Sequence, residues 1–329
     1  MKAVVYTRYG PPEVLQLRDV AKPVPEDGEV LVRVFAAAAN AYDWRLLGAK
    51  PYLIRLMGFG LLKPRNKILG ADIAGRVEAV GRNVKRFQPG DEVFGDISED
   101  GNGGFAEYAR ASEVFLASKP ANISFAEAAA TPFAALTALQ GLRDRGRIRP
   151  GQKVLISGAS GGVGTFAVQI AKSFGAEVTA VCSTRNLDLI RSIGADHVIN
   201  YTRENFTKSG RHYDLILAVN GHHSIAAYKR ALSPGGVYVM AGGSMSQLYQ
   251  TTLLGPWLSM AGSKKMGTFV MRPNTEDLLF VKGLLEAGKI VPVIDRRYPL
   301  SEVAEALRYL EQGHARGKVV ITVAGDADA

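Results

Sequence analysis

A single cysteine, Cys182, is all the thiol chemistry in this chain of 329 residues. An internal disulfide is therefore impossible, and a cysteine-rich zinc site cannot be assembled. At the end of an apolar run, Cys182 reads as a small buried residue. Histidine is scarce too: there are five, His197, His212, His222, His223 and His314, and only the adjacent pair is a cluster. No apolar run reaches membrane-spanning length. Met1 to Tyr9 alternates like a strand, with none of the segments of a secretory leader. No repeat or biased tract argues for disorder or a solenoid. A folded protein of the cytoplasm is the expectation, with no membrane part. Basic clustering of the kind nucleic acid requires is also missing. The formal charge is +9, yet the densest group, Arg143, Arg145, Arg147 and Arg149, alternates through a connection holding Gly146 and Pro150 and reads as a solvated face. An anionic cofactor and anionic substrates explain the excess more simply.

The length suits two domains, each with its own core. Up to about Ala121 the pattern is of strands separated by Gly and Pro turns: Lys2 to Tyr6, Glu29 to Ala38, Asp72 to Val80 and Glu92 to Gly95. This predicts a β-rich, barrel-like domain over 1–122. From Ser124 the period changes. Phe125 to Leu142 reads as helix, with Ser124 as N-cap and Glu127 at capping-box spacing. Strands (153–157, 177–182, 197–199, 215–218, 237–240) then alternate with helices (163–174, 186–193, 224–232), as in an α/β, parallel, doubly wound sheet over 123–290. Helices at 275–287 and 301–311, an extended run at 291–298 and a strand at 318–323 follow. Residues 291–329 are expected to complete the first domain, leaving the active site in the cleft between the two.

The strand Val154-Leu155-Ile156 runs into Gly158-Ala159-Ser160-Gly161-Gly162-Val163-Gly164, and a helix begins at once. A pyrophosphate needs backbone N–H groups at close range and the positive end of a helix dipole, so side chains must be absent where the backbone touches it. Gly158 makes the turn, Gly161 and Gly162 allow approach, and Gly164 lets helix pack on strand. Glycine turns also close ordinary loops, but here strand, turn, helix and second strand follow in order. Where the second strand ends, an acidic residue would bind the ribose hydroxyls of NAD. The sequence there is Cys182-Ser183-Thr184-Arg185-Asn186, with no carboxylate. Hydroxyls and a guanidinium suit a phosphate dianion, which predicts NADPH rather than NADH. The alternative for Arg185 is a surface charge near a helix start. Gly242 and Gly243, just after a strand, would let backbone approach the nicotinamide ribose.

The segments Gly70-Ala-Asp72-Ile-Ala-Gly75 through Gly90-Asp91-Glu-Val93, the turn at 158–164, and Gly194-Ala-Asp196-His-Val-Ile-Asn200-Tyr201 resemble the zinc-free quinone oxidoreductase branch of the medium-chain dehydrogenase/reductase superfamily, the relatives of zeta-crystallin. The resemblance spans nearly the whole chain. It implies a GroES-like substrate domain beside a Rossmann domain, commonly in a homodimer. It further implies that Tyr201 joins Ser183 and Arg185 around the adenosine 2′-phosphate, with Lys318 a weaker candidate for that region. Thr131 and Thr137 are implied nicotinamide-side contacts. Where zinc alcohol dehydrogenases of the superfamily carry their first Cys, this chain has Asn40; where they carry Gly-His-Glu, it has Gly70-Ala71-Asp72. The histidines fall outside the expected ligand positions, so no zinc is expected.

Without a Lewis acid, nothing stabilises the alkoxide of a saturated alcohol. A quinone or an α,β-unsaturated carbonyl instead takes hydride into a delocalised enolate, which a hydrogen-bond donor can hold. Asn40-Ala41-Tyr42-Asp43 resembles the family's Asn-x-x-Asp element beside the nicotinamide. Asn40 would donate its amide to the acceptor carbonyl, and Tyr42 is the leading proton donor, with Tyr52 and Lys63 as others; a packed ring is the alternative for Tyr42. Asp43 reads as structural. Apolar residues from Tyr52 to Leu62 would roof the pocket of a small hydrophobic acceptor, and Trp257 and Leu258 would line its opposite side or a subunit interface. The leading reading is an NADPH-dependent, zinc-independent reductase. The alternatives are a zinc-free NADP-linked alcohol or aldehyde dehydrogenase, or a non-catalytic NADPH-binding protein that senses redox state or contacts RNA.

Overall fold

The computed structural model describes residues 1–49, 55, 59–260 and 262–323. Along the chain the elements are β1 (Lys2–Val5), β2 (Gln16–Asp19), β3 (Glu29–Ala39), α1 (Ala41–Leu47), β4 (Asp72–Val80), β5 (Glu92–Asp96), β6 (Tyr108–Ser112), β7 (Leu116–Ser118), α2 (Phe125–Ala129) and α3 (Pro132–Leu139). There follow β8 (Lys153–Ser157), α4 (Gly162–Ser173), β9 (Glu177–Cys182), α5 (Leu187–Ser192), β10 (His197–Asn200), β11 (Tyr213–Ala218), α6 (Ile225–Ala231), β12 (Leu232–Met240), α7 (Met245–Met260) and β13 (Lys265–Thr268). The last elements are α8 (Thr275–Glu286), β14 (Ile294–Pro299), α9 (Val303–Glu311) and β15 (Lys318–Thr322).

The chain divides into two compact units, one of residues 1–133, 273–288 and 292–329, the other of residues 134–272 and 289–291. Helix α8 groups with the first unit, whereas the sequence pattern assigns it to the second. Its ties explain this: Thr275 Oγ1 donates to Val114 O, and Asn122 Nδ2 donates to Leu285 O at 3.0 Å.

The first unit is a GroES-like β-domain. Its seven-stranded sheet runs β14-β15-β3-β4-β5-β7, with β6 also on β3. Strand β3 keeps β4 on one side; on the other it pairs with β6 through Glu29–Arg33 and with β15 through Ala36–Ala39. Register shifts at Leu31/Val32 and Val34/Ala36 bend the strand where it changes partner. Val30, Val32, Val34, Ile73, Val93, Leu116 and Val319 fill the core with Leu46, Leu47 and Leu307 of the flanking helices.

The second unit is a Rossmann fold: six parallel strands in the order β10-β9-β8-β11-β12-β13. Chain order reverses between β8 and β11, and a sheet of this kind binds its ligand beyond the strand C-termini at that switch. The N-terminal signal of α2 is present, with Ser124 Oγ accepting from Glu127 N–H and Glu127 Oε2 accepting from Ser124 N–H. The single predicted helix to Leu142 is instead broken before Pro132, which disfavours helical backbone in the residue before it. Helix α7 was not legible, because Gly255 and Pro256 are helix-breaking signals and its apolar residues are spread over more than one face.

Candidate active site

The dinucleotide turn sits at the C-terminal end of β8, beside the switch. Val219 N–H and Asn220 N–H both donate to Ser157 O, and Ala159 N–H to Val181 O, so three strands hold the turn. Its glycines differ in what demands them. Gly158 has φ +84°, and a Cβ there would lie 2.8 Å from the Asn220 side chain. At Gly164 a Cβ would lie 2.2 Å from Gly158 O. At Gly161 the nearest atom to an added Cβ, Gly158 O, is 3.8 Å away. The fold itself therefore requires glycine at 158 and 164; position 161 is open, as a surface approached by a ligand would be. Helix α4 starts at Gly162, and its first-turn N–H groups have no partner within the helix. Unpartnered backbone N–H groups beside an open position at Gly161 are features that fit a pyrophosphate.

Parallel pairing sets Asn200 opposite Cys182, so Tyr201 and Ser183 leave the sheet side by side. Tyr201 N–H donates to Cys182 O, and the Tyr201 ring is exposed. Arg185 is exposed one turn beyond Ser183. The Cys182 thiol is pushed up to about 11 by burial, which makes it a poor nucleophile. Asn186, singled out by no sequence motif, donates to both Ser160 and Ser183.

Gly242 and Gly243 are glycine for a different reason from the one the sequence suggested. An added Cβ would lie 2.3 Å from Val219 O at Gly242, and 2.7 Å from Gln247 Oε1 at Gly243. The chain's own backbone and Gln247 crowd this turn, so neither glycine needs a ligand to explain it. Thr137 is buried on α3. Thr131 is corrected: it is fully buried between α2 and α3, and its hydroxyl donates to Glu127 O of α2 at 2.8 Å.

In the β-domain, the strand order β15-β3-β4-β5 lines up Lys318, Asn40, Asp72 and Asp96 along one end of the sheet. Lys318 Nζ donates to Asn40 Oδ1 at 2.6 Å and to Asp72 Oδ2 at 2.9 Å. Asn40 Nδ2 donates to Asp72 Oδ2 at 3.0 Å and to Ala38 O at 3.3 Å, and Phe133 N–H donates to Asp72 Oδ1 at 2.7 Å. The Lys318 and Asp72 side chains are 3% and 0% exposed, which makes this a desolvated ion pair. Two expectations are corrected here. Lys318 is an interior cation of the β-domain, committed to Asp72, and leaves the set proposed for the adenosine phosphate. Asn40 has acceptors for both amide hydrogens, so it braces the network and has none left for a substrate carbonyl. Tyr52 lies outside the described residues, as does most of the apolar segment from Tyr52 to Leu62.

Zinc does not fit these residues. The positions that the resemblance sets against zinc ligands, Asn40 and Ala71, offer an amide already bonded and a methyl group. A lysine ammonium, itself a cation, is bonded to Asn40 and to Asp72 beside it. Among the described residues no group of three or more His, Cys, Asp or Glu is placed to hold a metal. His223 packs edge-on against Phe206 at 4.9 Å.

Asp96 faces Asp72 across the β4–β5 pair and is fully buried. Its Oδ1 accepts from Ser98 N–H and its Oδ2 has no partner, so burial and the Asp72 charge push it well above the usual carboxylate range. Asp43 is held as the sequence suggested, accepting from Asn40 N–H at 2.7 Å and Gly70 N–H at 3.0 Å. Burial nonetheless lifts it to about 7. Tyr42 packs against Phe59 and Phe133. Its hydroxyl accepts from Asn102 Nδ2 at 3.4 Å, which leaves the phenol hydrogen to donate elsewhere. Burial pushes this phenol up to about 12. Asn102, which no sequence motif singles out, is buried in a left-handed conformation with φ +70° between Gly101 and Gly103.

Family models of the alcohol dehydrogenase GroES-like domain and of the zinc-binding dehydrogenase match residues 26–121 and 193–321. The chain is 39% identical to a 2-methylene-furan-3-one reductase of Solanum lycopersicum, over 98% of this chain and 79% of the relative. It is 36% identical to a chloroplastic NADPH-dependent alkenal/one oxidoreductase of Arabidopsis thaliana, with the same coverages. A solved quinone oxidoreductase from Coxiella burnetii superposes with a TM-score of 0.88 at 30% identity, covering 98% of this chain and 99% of that one. With both of its folds, its glycine turn and its lysine-bridged strand ends accounted for, the chain belongs to the zinc-free quinone oxidoreductase branch of the medium-chain dehydrogenase/reductase superfamily.

Proposed function

We propose that this protein is an NADPH-dependent, zinc-independent reductase of quinones or α,β-unsaturated carbonyls. The observation that carries the cofactor half is the end of β9, where Ser183 and Arg185 stand beside Tyr201 with no carboxylate among them. A hydroxyl and a guanidinium recognise a phosphate dianion, and no carboxylate stands there to bind a pair of ribose hydroxyls. The acceptor half is supported by the alkenal/one and furanone reductases and the quinone oxidoreductase it resembles, together with the lysine that displaces zinc chemistry from Asn40 and Asp72.

Bound NADPH supplies the hydride. The Gly158 to Gly164 turn and the start of α4 hold its pyrophosphate through backbone N–H groups, while Ser183, Arg185 and Tyr201 hold its 2′-phosphate. Thr137, Gly242 and Gly243 belong to the nicotinamide side of the same proposal. Tyr42 is the proton donor: its hydroxyl oxygen already accepts from Asn102, so its hydrogen is available to the enolate formed by hydride addition. Lys318, Asn40 and Asp72 fix the start of α1, on which Tyr42 rides.

The same proposal makes the protein a homodimer of the cytoplasm. Tyr249, Leu253, Trp257 and Met260 form an exposed apolar stripe on α7, next to β13, the end strand of the Rossmann sheet. A second copy meeting the same stripe would cover it and extend the sheet edge.

The test is NADPH and NADH oxidation against a panel of quinones, enones and simple aldehydes, with and without chelator. NADPH-linked turnover of quinones or enones that is indifferent to chelator is expected. Turnover confined to alcohols and aldehydes, or tight NADPH binding without turnover, would refute the acceptor assignment. Arg185→Asp should shift preference toward NADH, and an unchanged preference would refute the phosphate assignment.

A further inference from the structure

Asn186 stands at the N-cap of α5. An asparagine there normally turns its carbonyl oxygen onto the first-turn N–H groups, which stabilises the helix. Asn186 makes no such bond. Its Nδ2 donates instead to Ser160 Oγ at 2.8 Å and to Ser183 Oγ at 3.2 Å. The residue is 4% exposed, and its Oδ1 is buried without a hydrogen-bond partner. Two stabilising options are thus forgone at one side chain, a cap and a satisfied acceptor. Reversing the amide would be worse, since it would strand two N–H donors in place of one carbonyl oxygen.

The arrangement secures the polarity of two hydroxyls. A serine hydroxyl can donate or accept. With Nδ2 donating to both oxygens, the hydrogens of Ser160 and Ser183 are directed away from Asn186, and each serine is left as a donor. Ser160 lies in the glycine turn and Ser183 at the end of β9. Phosphate oxygens accept hydrogen bonds and need donors at both places.

We propose that Asn186 is a specificity-positioning residue of the dinucleotide site, using one amide to set Ser160 as donor to the pyrophosphate and Ser183 as donor to the 2′-phosphate. The proposal rests on the reading of Ser183 and Arg185 as the 2′-phosphate site. It adds a link between the part of the site common to both cofactors and the part that tells them apart.

The experiment measures dissociation constants of NADPH, NADH and adenosine 2′,5′-bisphosphate for the full chain and for Asn186→Ala, Asn186→Asp, Ser183→Ala and the Ser183→Ala/Asn186→Ala double variant, with thermal melts of each. Asn186→Ala should weaken NADPH and the bisphosphate about tenfold, the scale of one hydrogen bond to a charged group. It should weaken NADH less and leave the melting temperature unchanged or higher, because the stranded acceptor is gone. Asn186→Asp keeps the shape but replaces the donor with a charged acceptor, so it should weaken NADPH more than alanine does. In the Ser183→Ala background, Asn186→Ala should leave the NADPH-to-NADH ratio where it was. Wild-type binding by Asn186→Ala, or equal weakening of both cofactors with a lower melting temperature, would overturn the proposal. If Ser183→Ala itself leaves the ratio at the wild-type value, the phosphate reading fails and the proposal falls with it. If Ser183→Ala lowers the ratio and Asn186→Ala does not, only the positioning role fails.

Discussion

Replacing Lys318 with methionine removes an ammonium from a place where water cannot take over. Methionine fills nearly the same volume, so packing changes little, and the loss is electrostatic. Asp72 keeps its bonds from Phe133 N–H and Asn40 Nδ2, but its charge loses the ammonium that pairs with it at 0% exposure. Stranding one member of a buried pair costs about 3–5 kcal/mol. With roughly 2–4 °C of melting temperature per kcal/mol for units of this size, the variant should melt on the order of 10 °C below wild type at pH 8. Melting curves of both proteins at that pH test this. A deficit of only a degree or two would mean the lysine matters through packing alone, and no deficit at all would refute the buried ion pair.

Tyr42→Phe should lower kcat about 10²- to 10⁴-fold, the usual worth of a positioned proton donor, with KM nearly unchanged; an unaltered kcat would remove Tyr42 from the mechanism. A donor pushed up to about 12 remains protonated as pH rises and loses its proton only near that value, so wild-type kcat should be level from pH 6 to 9 on its account. Gly161→Ala should leave stability within about 1 kcal/mol yet weaken NADPH binding, because a Cβ there meets no protein atom closer than 3.8 Å. Gly164→Ala should also lower the melting temperature, since its Cβ would collide with Gly158 O at 2.2 Å; equal melting temperatures for the two variants would count against this division of the glycines. Trp257→Glu should convert a dimer to a monomer in light scattering at micromolar concentration, and an unchanged mass would move the subunit contact elsewhere.

What was legible in the sequence is what is set by short-range geometry. The strands Asp72–Val80, Lys153–Ser157 and Glu177–Cys182 begin and end where their apolar runs do, and Ser124 and Glu127 cap a helix because both partners lie within one turn. Position 158 needs a positive φ, and only glycine supplies it cheaply. The absence of a carboxylate after Cys182 is likewise a local fact. Helix α7 escaped because its apolar residues are spread over more than one face and its Gly-Pro pair is a helix-breaking signal, although Pro256 sits inside the helix. The break before Pro132 was in plain view as a proline but was outweighed by the strong signal at Ser124.

The chemistry of the β-domain could not be read that way. Lys318 and Asp72 are 246 residues apart, and nothing in either neighbourhood announces the other. Only the antiparallel placement of β15 and β4 on either side of β3 brings the ammonium to the carboxylate, and only burial makes that bond decide what Asn40 is free to do. The polarity of the Ser160 hydroxyl has the same origin, because a hydroxyl has no fixed direction until a neighbour donates to it, here Asn186, 26 residues further along the chain. Sequence by itself determined the glycine turn between strand and helix and the absence of a carboxylate after Cys182, since backbone conformation and residue type are local properties. Tertiary structure alone decided which polar atoms remain available to a ligand, since hydrogen-bond capacity is used up by partners that the chain order does not reveal.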